Sequence, residues 1–132
     1  GLTVHPDGMR AFVTNRAAGT LVEVDLASGT VTRAMDVGEF PIRVKVRPGA
    51  AELLVSDANG NQVVAVDPVN WEILRVLPVG AAPIGILITP DNQTAYVANT
   101  RDDKVTVIDL VNWEVAGEIF TGDEPDGMAW VG

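Results

Sequence analysis

Cysteine is absent from the 132 residues, and His5 is the single histidine. The first absence excludes a disulfide framework and thiolate metal sites, and leaves the redox compartment unread. The second leaves no pair of imidazoles from which one chain could build a transition-metal site, so haem ligation is unsupported. Basic residues are few: nine Lys and Arg against eighteen Asp and Glu give a formal charge of -9 and a pI near 4.3. Nucleic-acid affinity draws largely on basic side chains that release counterions, so a nucleic-acid partner is not expected. No apolar run approaches the roughly 20 residues that span a bilayer. The opening Gly-Leu-Thr-Val-His-Pro lacks the basic and apolar regions of a secretory signal. Because residue 1 already falls inside a repeat element, an upstream segment is one reading of that start.

What the chain does have is repetition. Pro6, Pro48 and Pro90 share one position of a 42-residue period, Asp25, Asp67 and Asp109 a second, Gly38, Gly80 and Gly122 a third, and Pro41, Pro83 and Pro125 a fourth. Such a period marks a supersecondary unit that buries its apolar faces only against a neighbour. An apolar fraction of 47% with 20% charged residues fits a folded protein rather than a disordered tail.

Within each unit apolar residues alternate at strand spacing, and no helical stripe is found. Ala11 to Thr14, Glu52 to Ser56 and Thr94 to Ala98 are rich in β-branched and aromatic residues bounded by Asp, Asn and Gly. Leu21 to Val24, Val63 to Val66 and Val105 to Ile108 form the next set, and 31–37, 73–79 and 115–121 the third. A further short strand precedes each proline turn at Leu2 to Val4, Val44 to Val46 and Ile86 to Ile88, and appears a fourth time at Met128 to Val131. Four short antiparallel strands per unit of about 40 residues predict a propeller blade. Blades are expected at 1–42, 43–84 and 85–126 in one repeat domain, with a surplus inner strand at 127–132.

Turn chemistry agrees. His5-Pro6-Asp7-Gly8 and Thr89-Pro90-Asp91-Asn92 set φ with proline and follow it with residues that tolerate tight conformations; Pro48-Gly49-Ala50-Ala51 departs from that pattern. Asp25, Asp67 and Asp109, recurring in every unit, read as turn fasteners, because a catalyst is needed once and a turn recurs.

Phe12-Val13-Thr14-Asn15 and Tyr96-Val97-Ala98-Asn99, each followed by Val24-Asp25 or Ile108-Asp109 and a Gly-x-x-Pro stretch, resemble the YVTN-repeat β-propellers, within the surface-layer-type and lactonase-like propellers. The middle unit departs from this pattern at Val55-Ser56-Asp57. The resemblance covers nearly the whole chain and implies an all-β propeller with extracellular or periplasmic residence.

Propellers use about 4–8 blades, so three form an open arc whose end faces expose valine-rich strands. The expectation is self-association into a homodimer that completes a six-bladed ring. A competing expectation is the C-terminal piece of a longer propeller, cut at a blade boundary.

Alternating turns place 15–19, 57–61 and 99–103 on one face of the arc with the glycine-proline junctions. That face is the candidate binding surface: Asn15, Arg16, Arg43, Asp57, Asn59, Asn99, Arg101, Asp102 and Asp103, with Glu39 beside them. Asp123, Glu124 and Asp126 are the candidate calcium ligands, since calcium takes 6–8 oxygens, although their spacing matches no dedicated loop. No cofactor other than calcium is expected. Ser28 and Ser56 lie in no Gly-x-Ser-x-Gly elbow, so no catalytic residue is assigned. Trp71 and Trp113 are expected to cover an outer strand edge or to form a protein contact, and Trp130 to plug the channel. The function expected is a non-catalytic scaffold or protein-binding module, against the alternative of a lactonase-like or metal-dependent hydrolase at the channel mouth.

Overall fold

A computed structural model describes residues 1–50 and 52–132, with the backbone alone considered at Ala50. Ala51, the end of the divergent Pro48 turn, lies outside the described residues. The chain forms three four-stranded antiparallel sheets. Blade 1 contains β1 (Leu2–Val4), β2 (Arg10–Asn15), β3 (Thr20–Asp25) and β4 (Thr30–Asp36). Blade 2 contains β5 (Pro41–Val46), β6 (Leu53–Asp57), β7 (Gln62–Asp67) and β8 (Glu72–Pro78), and blade 3 contains β9 (Pro83–Ile88), β10 (Thr94–Asn99), β11 (Lys104–Asp109) and β12 (Glu114–Phe120). A short 3-10 turn, Pro48–Ala50, stands in blade 2 where blades 1 and 3 have their Pro-Asp turns.

The sheets pack face to face because alternate residues of each strand point to opposite sides. Phe12 and Leu21 of blade 1 meet Val44, Leu53, Val55, Val64 and Val66 of blade 2. On its other side blade 2 presents Leu54, Val63 and Ala65 to Ile86, Ala95, Val97 and Ile108 of blade 3. Each core therefore lies between blades, so no blade has one of its own. A bulge recurs at one place in every outer strand, at Thr32, Leu74 and Ala116, opposite the steps Glu23 to Val24, Ala65 to Val66 and Val107 to Ile108 of the third strands. It bends the outermost strand and increases the local twist.

Hydroxyl groups tie neighbouring blades together. Thr14 Oγ1 donates 2.8 Å to the carbonyl of Ile42, and Ser56 Oγ, one repeat later, donates 2.8 Å to that of Ile84. Ala98 occupies the position in blade 3 and has no hydroxyl; Thr100 Oγ1 instead donates 2.9 Å to the Pro125 carbonyl. These bonds satisfy carbonyls of the incoming inner strand that a sheet edge would otherwise leave open.

The fourth inner strand differs from expectation. Residues 124–132 form no ladder, because a strand is held by a partner's backbone groups and no second strand of a further blade lies beside them. Met128, Ala129 and Trp130 instead lie over the open side of blade 3, where with Leu87, Tyr96, Val105 and Ile119 they line a cavity of about 450 Å³. Trp130, expected in the channel, thus lies against the face of blade 3.

Candidate functional site

The face expected to bind carries two kinds of polar residue, separated by what each holds. Asp57 is fully buried. One carboxylate oxygen accepts the N–H of Phe40 at 2.8 Å and of Glu39 at 3.1 Å, and the other accepts Gln62 Nε2 at 3.0 Å. Glycine is required at position 38, since a Cβ there would run into that carboxylate and φ is +149°. Asp57 therefore fixes the junction between blades 1 and 2.

The next junction is held by different residues. Asp102 Oδ2 accepts Ala81 N–H at 2.6 Å, and Asn61 Oδ1 accepts Ala82 N–H at 3.0 Å. Asp103 Oδ1 accepts Glu124 N–H at 3.0 Å. Asn99, also fully buried, donates from Nδ2 to Thr106 Oγ1 at 2.7 Å, while its Oδ1 has no protein partner. Asp57, Asp102 and Asp103 are thus engaged at the blade junctions, and Asn99 between two strands of blade 3.

Asn15, Arg16, Arg43, Asn59 and Arg101 are exposed on the same face. Arg16 lies 5.7 Å from the Phe40 ring, and with Asn15, Ala17 and Ala18 they line a shallow depression. Arg43 stands 3.6 Å from Asp126, with both side chains about half exposed. Solvent screening leaves such a pair little weight in stability. Among the described residues no three His, Cys, Asp or Glu side chains are grouped closely enough to hold a metal ion. Of the calcium candidates, Asp126 faces Arg43, and Asp123 and Glu124 are exposed.

Nucleophile and base do not meet. Ser56 is fully buried and donates to Ile84, whereas Ser28 sits in the opposite turns with Asp25 at 2.6 Å and Thr30 at 2.7 Å. His5 Nδ1 accepts the Asp7 N–H at 3.1 Å, a turn contact. The recurring aspartates do fasten turns: Asp25 accepts from Ser28, Asp67 from Val69 and Asn70, and Asp109 from Val111 and Asn112. These donors hold all three carboxyls below the ordinary aspartate value, led by the Ser28 hydroxyl for Asp25, the Val69 N–H for Asp67 and the Asn112 amide for Asp109.

Sequence reasoning missed the partners of the tryptophans. Trp71 stacks on Phe12 at 6.3 Å and lies beneath Arg33 of the preceding blade at 4.6 Å. Trp113 receives Arg75 at 5.1 Å and Arg47 at 5.5 Å. Arg33 and Arg75 are one repeat apart, as are Trp71 and Trp113, so the signal was a second recurring column running beside the first. These tryptophans are blade-to-blade contacts.

Two substitutions separate the two kinds of polar residue. Asp57→Ala removes a buried acceptor shared by two part-buried N–H groups, at about 1–3 kcal/mol in all, and thermal melting of the purified variant should fall by several degrees. Arg101→Ala, removing an exposed side chain, should stay within about 0.5 kcal/mol of the parent. Equal melting of the two variants would contradict this division.

No family model matches the chain, and no curated protein matches it. Solved structures do. A hydrazine synthase chain from Kuenenia stuttgartiensis is 32% identical with a TM-score of 0.90, over 96% of this chain and 37% of that one. A putative 6-phosphogluconolactonase from Bacteroides fragilis is 19% identical with a TM-score of 0.84, over 100% of this chain and 41% of its own. The periplasmic gluconolactonase of Pseudomonas aeruginosa is 20% identical with a TM-score of 0.81, over 96% and 40%. The chain therefore spans about two-fifths of the length of the structures it matches, and it has a β-propeller fold.

Proposed function

We propose that this chain is a non-catalytic propeller module of YVTN type, whose ring face presents Asn15, Arg16, Arg43, Asn59 and Arg101 to a protein partner from a rigid frame. The observation that carries this reading is that Asp57, Asp102 and Asp103 are occupied by backbone N–H groups of the blade junctions. Asp57, Asp102 and Asp103 stiffen the blade junctions, Asn99 ties two strands of blade 3, and the solvent-facing arginines and asparagines are left as the accessible groups. Rigid frames that display loops are a recurring way to bind proteins, and arginine is enriched at interface hot spots.

A hydrolytic reading rests on the likeness to proteins named as gluconolactonases, at 18–20% identity, a level that carries fold and not chemistry. In that reading Asp123, Glu124 and Asp126 would hold calcium at the channel mouth to activate water. One experiment separates the two. Calorimetric melting with calcium and with chelator, beside a panel of sugar lactones, should give superimposable melts and no hydrolysis. A calcium-dependent rise in melting temperature together with lactone turnover would establish the hydrolase instead.

A further inference from the structure

Positions that recur with the blade hold the frame, so a group of residues that breaks the repeat together at one joint is doing something the frame does not require. The joint between blades 1 and 2 has such a group. Arg16 stands where the later units have Ala58 and Thr100, Phe40 where they have Ala82 and Glu124, and Arg43 in the column of Gly1 and Gly85. The structure brings the three to one place. Thr14 Oγ1, two residues before Arg16, donates 2.8 Å to the Ile42 carbonyl just before Arg43, and the Arg16 guanidinium lies 5.7 Å from the Phe40 ring. Burial, then Arg43, then Arg16 lower the proton affinity of the Gly1 amine, so both guanidiniums face the same side of the joint.

Their charge is also left over from the internal ion pairs. Of nine basic side chains, Arg10, Arg33, Arg47 and Lys104 each stand within 3.2 Å of a carboxylate oxygen, and Arg75 lies over Trp113. The ion pairs among the described residues leave Arg16 out and give Arg43 only the 3.6 Å approach of Asp126, with both of those side chains about half exposed. Lys45, two residues beyond Arg43 with buried Val44 between them, adds an exposed cation on the same side of β5, where the other inner strands have Thr3 and Leu87. In a chain of net charge -9, Arg16, Arg43 and Lys45 thus form one exposed basic strip from the turn of blade 1 along the inner strand of blade 2. At its upper end Arg16, with Asn15, Ala17 and Ala18, surrounds a depression of about 470 Å³ over the half-buried Phe40 ring.

We propose that this strip is where a protein partner docks on the ring face, and that it takes an extended acidic segment of that partner led by an apolar side chain. The apolar side chain rests on Phe40, and carboxylates at alternate positions meet Arg16, Arg43 and Lys45. Arg43 and Lys45 leave the strand roughly 7 Å apart, the spacing of alternate side chains in any extended segment, and a guanidinium presents a planar fork that a carboxylate fits. A small free anion would find the charges and leave the ring uncovered. The inference rests on the scaffold reading above and narrows it to one joint, in the mode by which arginine clusters read acidic motifs. Asp126 and the exposed Glu39 are the competing carboxylates at the rim. The partner displaces Asp126, because a half-exposed pair at that separation contributes little.

The test follows backbone amide shifts of the 132-residue chain by NMR as the peptide acetyl-Leu-Glu-Ala-Glu-Ala-Glu amide is added. Its counterpart with Gln for every Glu, and sodium acetate at equal carboxylate concentration, are titrated beside it. The acidic peptide should give saturating shifts at 15–18 and 39–45, and the other two none. A net negative chain repels an acidic peptide as a whole, so saturation at these residues reports the strip. Arg16→Gln and Arg43→Gln should each weaken binding about threefold, and Asp126→Asn should tighten it about twofold. That gain cannot come from a damaged fold. Arg101→Gln, on the same face in blade 3, should change nothing. Equal shifts from the Gln peptide overturn the acidic segment while keeping the ring face as a protein-binding surface, and shifts centred on Arg101 overturn the placement at this joint. Acetate that acts as the peptide does overturns a protein segment as the occupant. No shift from any of the three overturns this inference alone, whereas the scaffold reading falls to calcium-dependent melting with lactone turnover.

Discussion

Phe12→Ala lowers the unfolding free energy by about 4 kcal/mol in urea titration, within the range measured for large aromatic truncations in cores. Phe12 is fully buried between blades 1 and 2 and stacks on Trp71. Truncation opens a cavity where strands of two different sheets meet, and relaxation is limited because the Thr14 to Ile42 bond fixes the spacing of the blades. Tyr96→Ala, at the same repeat position in blade 3, should cost only about 1 kcal/mol in dilute solution. Its ring is half-buried beside Met128 and Trp130. Equal losses at the two positions would mean that blade cores, and not the joints between them, carry the stability.

Arg33→Ala should cost about 1–3 kcal/mol, the range for leaving a buried acceptor short of its charged donor, because Glu23 is buried while Arg33 is about one-third exposed. Glu23 is 6% exposed and receives Arg33 Nε at 3.1 Å and Nη2 at 2.6 Å, Thr32 Oγ1 at 2.8 Å and Arg10 Nη1 at 3.2 Å. The same guanidinium donates to the Pro68 and Val69 carbonyls of blade 2 and covers Trp71. Arg10 remains after the substitution, which keeps the loss from the upper end. Arg33→Lys should recover little, because an ammonium cannot supply the planar fork that serves two carboxylate oxygens and two carbonyls.

A pH profile isolates the carboxylate. Burial is the largest influence on Glu23 and pushes its carboxyl up, but the hydrogen bonds from Arg33, Thr32 and Arg10 together outweigh it and leave the value below the ordinary 4.5. A carboxyl with a lower value in the folded state stabilises the fold fully above its ordinary value and loses that contribution as pH falls through the lower one. Without Arg33, burial is less opposed, so the acid-side loss should begin at higher pH in Arg33→Ala than in the parent. An unchanged profile would show that Arg33 acts through packing on Trp71 alone.

The repeat was legible because its signals are local. A proline that presets φ and an aspartate that accepts N–H groups in the next turn act within a few residues, and alternation along each strand fixes which side chains leave which face. From these the strands and their antiparallel order within each unit followed. The roles of the polar residues on the expected binding face did not. Asn15, Asp57 and Asn99 share a column, yet Asn15 is exposed, Asp57 closes a junction and Asn99 bonds Thr106. Which role each takes depends on where the neighbouring blade's N–H groups arrive.

By itself the amino-acid order determined that this chain builds identical units with two apolar sides, because period and alternation are properties of a single strand's stereochemistry. Only the folded structure decided what each unit's second side would meet. It buried Leu54 and left Tyr96 half open at the same repeat position, set Trp71 beneath an arginine 38 positions earlier in the chain, and laid Trp130 against a sheet face. Those outcomes depend on distances between sheets, which arise when hydrophobic faces are removed from water together and which no short stretch of residues encodes.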